Sequence, residues 1–263
     1  MAIASQPDPS HPAITAASSE AARKVGAVIY LSSNRPLRLA DYYREFQQNW
    51  PTSLLEAIGK EPHRVVFRSG HSSFALELRH EPVPDAISEP VAETTLHWPG
   101  AAASIAHHVA HVELSGSPDG GVLTFSSDLT RAVASLLPVM DSIAVCWLNG
   151  PALNSAKEFV MTAQETFATG VYPLRLWVAV RFEAAPRTLA THGMEQFDAP
   201  EIVLTDQTDA APLMVDYLFQ AALSLLSSRH PITSQEAADS PHGQLHVKTG
   251  KSATGRKIVI LQP

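Results

Sequence analysis

The sequence predicts an α+β fold in which antiparallel or mixed sheets are covered by helices. Three observations carry this expectation. Residues 142–148 (SIAVCWL) form a continuous apolar run of strand length, and residues 174–182 (LRLWVAVRF) form a second. Residues 154–167 (NSAKEFVMTAQETF) lie between them with the apolar spacing of an amphipathic helix. Two buried strands around such a helix make the centre of a layered domain.

Taken in order, residues 1–22 are rich in Ala, Ser and Pro without periodicity and read as a flexible leader. Residues 25–31 (VGAVIYL) predict a strand buried on both faces. Leu39, Tyr42, Tyr43 and Phe46 then recur at helical spacing, and Trp50-Pro51 closes that helix. Residues 64–68 and 73–79 read as two strands joined through Ser69-Gly70-His71-Ser72. Residues 81–99 hold four prolines and read as an irregular connection, followed by a short helix over 101–106 and a strand over 108–114. The order strand, helix, strand, strand, helix, strand predicts a ferredoxin-like first half (βαββαβ) within residues 23–116.

The turn cluster at residues 115–121 (SGSPDGG) predicts a boundary between that subdomain and a second, related α/β unit over 122–263, the two packed as one compact unit. In the second unit Ser127 or Asp128 is the expected cap of a helix running to Leu137. Residues 213–226 predict a strongly apolar helix, and residues 245–248 with 257–261 a closing hairpin.

Composition narrows the function classes. With 263 residues, 45% apolar and 17% charged, the chain is long enough to bury a sizeable core. A net charge of −7 argues against nucleic acid, whose phosphates call for clustered Lys and Arg, and suits a basic protein partner. Cys146 is the single cysteine, so no intrachain disulfide forms. No signal-type start and no run of about 18 apolar residues is present, so the expectation is cytoplasmic, with no membrane contact.

Candidate chemistry is sparse. His107, His108 and His111 (HHVAH) invite a metal hypothesis, with His97 or Glu113 as a further ligand, but nothing in the spacing demands one; no metal or other cofactor is expected. Cys146, mid-strand between Val145 and Trp147, reads as structural rather than nucleophilic. Gly150-Pro151 and Asn154 lie where a strand gives way to a helix, a common place for ligand contact, although Asn154 is equally a helix cap and Lys157 and Glu158 ordinary first-turn residues. Thr249-Gly250-Lys251-Ser252 lacks the upstream glycine of a phosphate-binding loop and reads as a hairpin turn. In Thr191-His192-Gly193-Met194-Glu195, a His192–Glu195 pair lacks a nucleophile or oxyanion donor, so a structural corner with Met194 and Phe197 inward is expected.

At these residues the chain resembles a bacterial family known as domain of unknown function 4261. Residues 191–202 (THGMEQFDAPEI) are similar to its pattern of a threonine or tyrosine, then Gly-Met-Glu, a small gap, and Pro-Glu with an apolar residue. Asp198 stands where that family often has glycine. The resemblance implies an α+β binding protein with no catalytic residues, such as an immunity protein that neutralises a cognate antibacterial toxin of a type VI secretion locus by occluding it. A hydrolase or metal-dependent enzyme with a histidine-lined pocket, and an effector adaptor or chaperone, are the alternatives. The partner surface is expected on acidic loops, at Glu81, Asp85, Glu89, Glu93, Asp206 and Asp209.

Overall fold

The structure is a computed structural model that describes residues 24–61, 63–119, 121–183, 188–205, 211–227, 237–240, 243–252 and 254–262. The leader expected over residues 1–22 lies outside them. The chain is α+β, with two sheets and seven α-helices among the described residues.

The first sheet is antiparallel throughout. It is built from β1 (Val25–Leu31), β2 (Glu56–Glu61), β3 (Arg64–Ser69), β4 (Ser72–Arg79), β5 (Ala110–Gly116), β6 (Ser142–Trp147) and β7 (Ala152–Ser155), in the order β2-β3-β4-β5-β1-β6-β7. Helix α1 (Leu39–Asn49) follows β1, α2 (Asp85–Glu93) and α3 (Ala101–Ile105) lie between β4 and β5, and α4 (Val122–Leu136) carries the chain from β5 to β6. After β7 come α5 (Ala156–Ala168) and the single-turn α6 (Leu174–Trp177). The second sheet contains β8 (Ala179–Phe182), β9 (Leu189–His192), β10 (Glu201–Leu204), β11 (Ala237–Ser240), β12 (Gly243–Lys251) and β13 (Lys257–Gln262), with α7 (Ala211–Ser227) between β10 and β11. Its order is β11-β12-β13-β10-β9-β8, and β10 with β13 is its parallel pair.

These pairings alter two expectations. The ferredoxin-like order expected within residues 23–116 is not seen there, because β3, β4, β5 and β1 lie side by side in that order. The crossover through α4 instead links β5 to β6 on either side of β1, beyond residue 116. The boundary expected at 115–121 therefore falls between two elements of one sheet, since β6 and β7 complete the sheet that β1 to β5 begin. Nor does the second sheet repeat the first in size or order.

The strand β1 is buried on both faces, as its unbroken apolar run requires. Val25, Ala27, Ile29 and Leu31 enter the main core with Tyr42, Phe46, Leu129, Val133, Trp147 and Trp177. Val28 and Tyr30 enter a second core with Cys146 and Leu153, covered by Val83, Ala92, Ala101 and Ile105. Residues 81–99 are thus not an irregular connection alone: α2 forms there despite Pro90, held by buried Ser88 and Ala92. Its end is closed where Thr94 and Thr95 donate to the carbonyls of Pro90 and Val91 at 2.8 and 2.7 Å.

The helix α4 starts at Val122, so Ser127 and Asp128 are buried mid-helix residues and not its cap. Its polar side chains act as partners for rings and loops around it. Thr130 Oγ1 accepts the indole of Trp177 at 2.7 Å and Ser135 Oγ that of Trp50 at 2.9 Å, while Asp128 Oδ2 accepts Ser72 Oγ at 2.7 Å. Large aromatic residues can be buried this deeply because their N–H groups are satisfied. The run 174–182, expected as one strand, is divided into α6 and β8. That break lets Trp177 turn into the core beside Trp147, with ring centroids 6.0 Å apart.

Candidate functional site

The motif of residues 191–202 folds into a buried corner. Thr191 Oγ1 and the amides of Gly193 and Met194 all donate to the Glu201 carboxylate, at 2.7, 2.8 and 2.9 Å. The backbone donors of the corner are thus satisfied by Glu201 rather than by Glu195, which pairs with Arg256 at 2.9 Å. Gln196 Oε1 accepts the Trp147 indole at 3.0 Å, and its Nε2 donates to the carbonyls of Trp177 and Gly193 at 3.0 and 2.7 Å. A Cβ on Gly193 would stand 2.4 Å from the Gly150 Cα, and its φ of +117° favours glycine. Met194 is fully buried and Phe197 packs against the core. Glu201 thus ties the turn between β9 and β10 to β9, and Gln196 ties that turn to Trp147 of β6, which makes this a structural corner.

The His192–Glu195 pair does not form. His192 Nε2 lies 3.1 Å from Glu183 Oε1 instead, and Arg181 Nη2 donates to the Pro151 carbonyl at 2.9 Å. Loss of solvation lowers the His192 pKa, and the Arg181 charge lowers it further. Cys146 is buried, and that burial pushes its thiol up to about 12, which leaves it protonated and inert.

The histidine run is divided between the turn after α3, which holds His107 and His108, and the strand β5, which holds His111. His107 is exposed. His108 Nε2 accepts the Val83 amide at 2.7 Å while Nδ1 donates to the Ile105 carbonyl at 2.6 Å, tying α3 to the chain ahead of α2. His111 Nδ1 donates to the Glu81 carbonyl at 2.8 Å, and its Nε2 lies 3.4 Å from Glu113. Among the described residues no group of three His, Cys, Asp or Glu is placed to hold a metal ion.

Of the expected partner surface, Glu81, Asp85, Glu89 and Glu93 are exposed. Asp85, Glu89 and Glu93 sit four residues apart on α2 and so share one helical face, which a reading of this segment as loop does not foresee. Asp206 and Asp209 lie outside the described residues.

That helix packs against β7 and leads, through residues 94–96, to a cavity of about 250 Å³. The cavity is lined by His97 and Trp98, by Asn154 and Ser155 where β7 meets α5, by Glu158 and Thr162 on α5, by Arg175 on α6 and by Phe219 on α7. Ser155, not Asn154, caps α5: its Oγ accepts the Glu158 amide at 3.2 Å. Asn154 is thereby left as the last inward side chain of an edge strand, only 2% exposed. Its Oδ1 lies 3.1 Å from His97 Nε2, which donates to it, and its Nδ2 has no hydrogen-bond partner among the described residues. Such a buried donor costs about 1–3 kcal/mol until an acceptor reaches it.

Arg175 pairs with Asp216 and stacks over Phe219, its guanidinium carbon 4.9 Å from the ring centre. The Glu158 carboxylate accepts Thr162 Oγ1 at 3.5 Å, and no cation of the described residues forms an ion pair with it. Lost hydration lowers the His97 pKa and Arg175 acts in the same sense. The hydrogen bond to Asn154, the Glu158 charge and the Leu153 backbone oppose both. The ring is therefore neutral at neutral pH.

The sequence located part of this site. Asn154 and Glu158 are visible at a strand-to-helix junction, and His97 among the histidines. Trp98, Arg175 and Phe219 carry no signal, because three separate elements bring them in.

No family model matches the chain, and no curated protein and no solved structure matches it significantly. No helix among the described residues is long and apolar enough to cross a membrane.

Proposed function

We propose that the chain is a non-catalytic binding protein that meets another protein across α2 and the neighbouring cavity. The observation that carries this reading is a small preformed cavity lined by Asn154, whose buried amide nitrogen has no acceptor among the described residues. At about 250 Å³ the cavity falls below the range of about 300–1,000 Å³ usual for drug-sized ligands and coenzymes, which suits one residue of a partner. On α2, which precedes the cavity-lining His97 in the chain, the carboxylates of Asp85, Glu89 and Glu93 give a negative face that speeds encounter with a basic surface. Neither lining hydroxyl is set against a histidine base: Ser155 Oγ is engaged as a helix cap, Thr162 Oγ1 donates to Glu158 at 3.5 Å, and His97 is turned to Asn154.

The more specific reading, an immunity protein that occludes a secreted antibacterial toxin, is supported by the resemblance of residues 191–202. Asp198, at the position where the resembled family often has glycine, has a φ of 57°. Residues around that corner build the scaffold; the face at α2 would differ with the partner.

The test is purification of the tagged full chain from its native cells, followed by assay of any stoichiometric partner. A partner whose toxic activity is abolished at one equivalent, and whose complex is weakened at least tenfold when Glu81, Asp85, Glu89 and Glu93 are all changed to Lys, supports the proposal. A complex indifferent to those changes and to Asn154→Leu removes this face as the interface. A partner that stays active while bound indicates an adaptor.

A further inference from the structure

We propose, building on the reading that this face meets a protein, that the cavity takes the side chain of an arginine from an extended basic segment of the partner. The lining sets the charge of the occupant. Arg175 is already paired with Asp216, and His97 is neutral, so the Glu158 carboxylate is the charged lining group left without an ion-pair partner among the described residues. An anion at the start of α5 is disfavoured for the same reason. Glu158 occupies the first turn, and the Ser155 hydroxyl has already taken the Glu158 amide, so the helix end has little left to offer it.

Shape and polarity narrow the cation further. Trp98 and Phe219 supply aromatic rings to the lining, and the Phe219 ring already carries one guanidinium. A planar guanidinium stacks on such rings and meets a carboxylate with two parallel N–H groups, which the compact ammonium of lysine does not. The remaining demand is an acceptor for Asn154 Nδ2. A backbone carbonyl of the same extended segment supplies it once the Asn154 side chain turns toward the cavity on binding, so that the main chain binds at Asn154 while the side chain reaches Glu158. The exposed carboxylates of Asp85, Glu89 and Glu93 on the preceding helix α2 then attract flanking basic residues.

The test is titration of the full chain, by calorimetry or amide chemical shifts, with the capped tripeptide Gly-Arg-Gly. The controls are its citrulline counterpart, which keeps the shape and loses the charge, and free L-arginine. The expected result is binding of the arginine peptide at least tenfold tighter than the citrulline peptide. Glu158→Gln removes that difference, and Asn154→Ala weakens both peptides alike; thermal melts of both variants check that the fold is kept. Equal binding of the two peptides, or none at millimolar concentration, overturns the arginine assignment. Tighter binding of free L-arginine than of the peptide overturns the protein source in favour of a metabolite. If Asn154→Leu abolishes the partner complex while the arginine peptide fails to compete with it, the interface stands and the arginine does not.

Discussion

Replacing Glu201 tests the idea that the 191–202 corner is structural, and the magnitude follows from its contacts. In Glu201→Ala the amides of Gly193 and Met194 and the Thr191 hydroxyl lose their acceptor together. Gly193, Met194 and Thr191 are all buried, so water does not readily replace it. At about 1–3 kcal/mol for each of the two stranded amides, with the hydroxyl free to rotate elsewhere, the loss comes to about 2–6 kcal/mol. That is a large share of the roughly 5–15 kcal/mol that stabilises a typical domain. Glu201→Gln behaves differently. One amide oxygen still accepts from both backbone N–H groups, and burial already raises the Glu201 pKa, so removing the charge offsets part of the lost bonding. The expected cost is about 1 kcal/mol or less. Urea denaturation followed by the fluorescence of Trp147 and Trp177 reads both variants, since Gln196 of the same corner bonds to each of these residues. A Glu201→Ala cost below about 1 kcal/mol, or equal losses for Ala and Gln, refutes the account of this corner as a satisfied carboxylate network.

Other consequences are as direct. Gly193→Ala drives a Cβ into the Gly150 backbone at positive φ and is expected to destabilise by about 3 kcal/mol in the same assay. Burial raises the Asp128 pKa against the opposing pull of Ser72 and Arg131, so the folded state holds that proton more tightly than the unfolded chain. Its contribution is full below the ordinary carboxylate range and lost as pH rises through the raised pKa; in Asp128→Asn that slope of stability against pH disappears. His97 has the opposite sign. Its pKa is lowered in the fold, so its contribution is present above the ordinary histidine value and lost as pH falls through the lowered one, and His97→Gln flattens that acid limb. Cys146 resists an aromatic disulfide reagent in the native chain at pH 8 and reacts promptly after unfolding; rapid native labelling would contradict its burial.

Much of the local structure was legible in the residues. The double-sided burial of residues 25–31, the helix opening at Leu39, the hairpin through Gly70 and the structural character of Cys146 follow from apolar period and turn chemistry. Where the reading erred, local pattern admitted two answers. LRLWVAVRF is apolar enough for a strand or a buried helical turn, and only the need to place Trp177 against Trp147 and Thr130 splits it. Prolines in 81–99 hid α2, whose carboxylates share a face only because it is helical. The exposed strand β2 has the polar sequence EAIGKE, with no apolar alternation to announce it, and forms because β3 offers it an edge.

By itself the sequence determined which segments are buried, which turn, and that the chain is an α+β protein with an acidic surface. Those properties depend on neighbours a few positions away, where side-chain period and backbone preference act. The tertiary structure alone decided that β6 and β7 join the sheet begun by β1, that Glu201 rather than Glu195 satisfies the corner, and that Asn154 meets His97 across 57 positions. Contacts of that length are set by how whole layers stack, and no window of residues contains the information that fixes them.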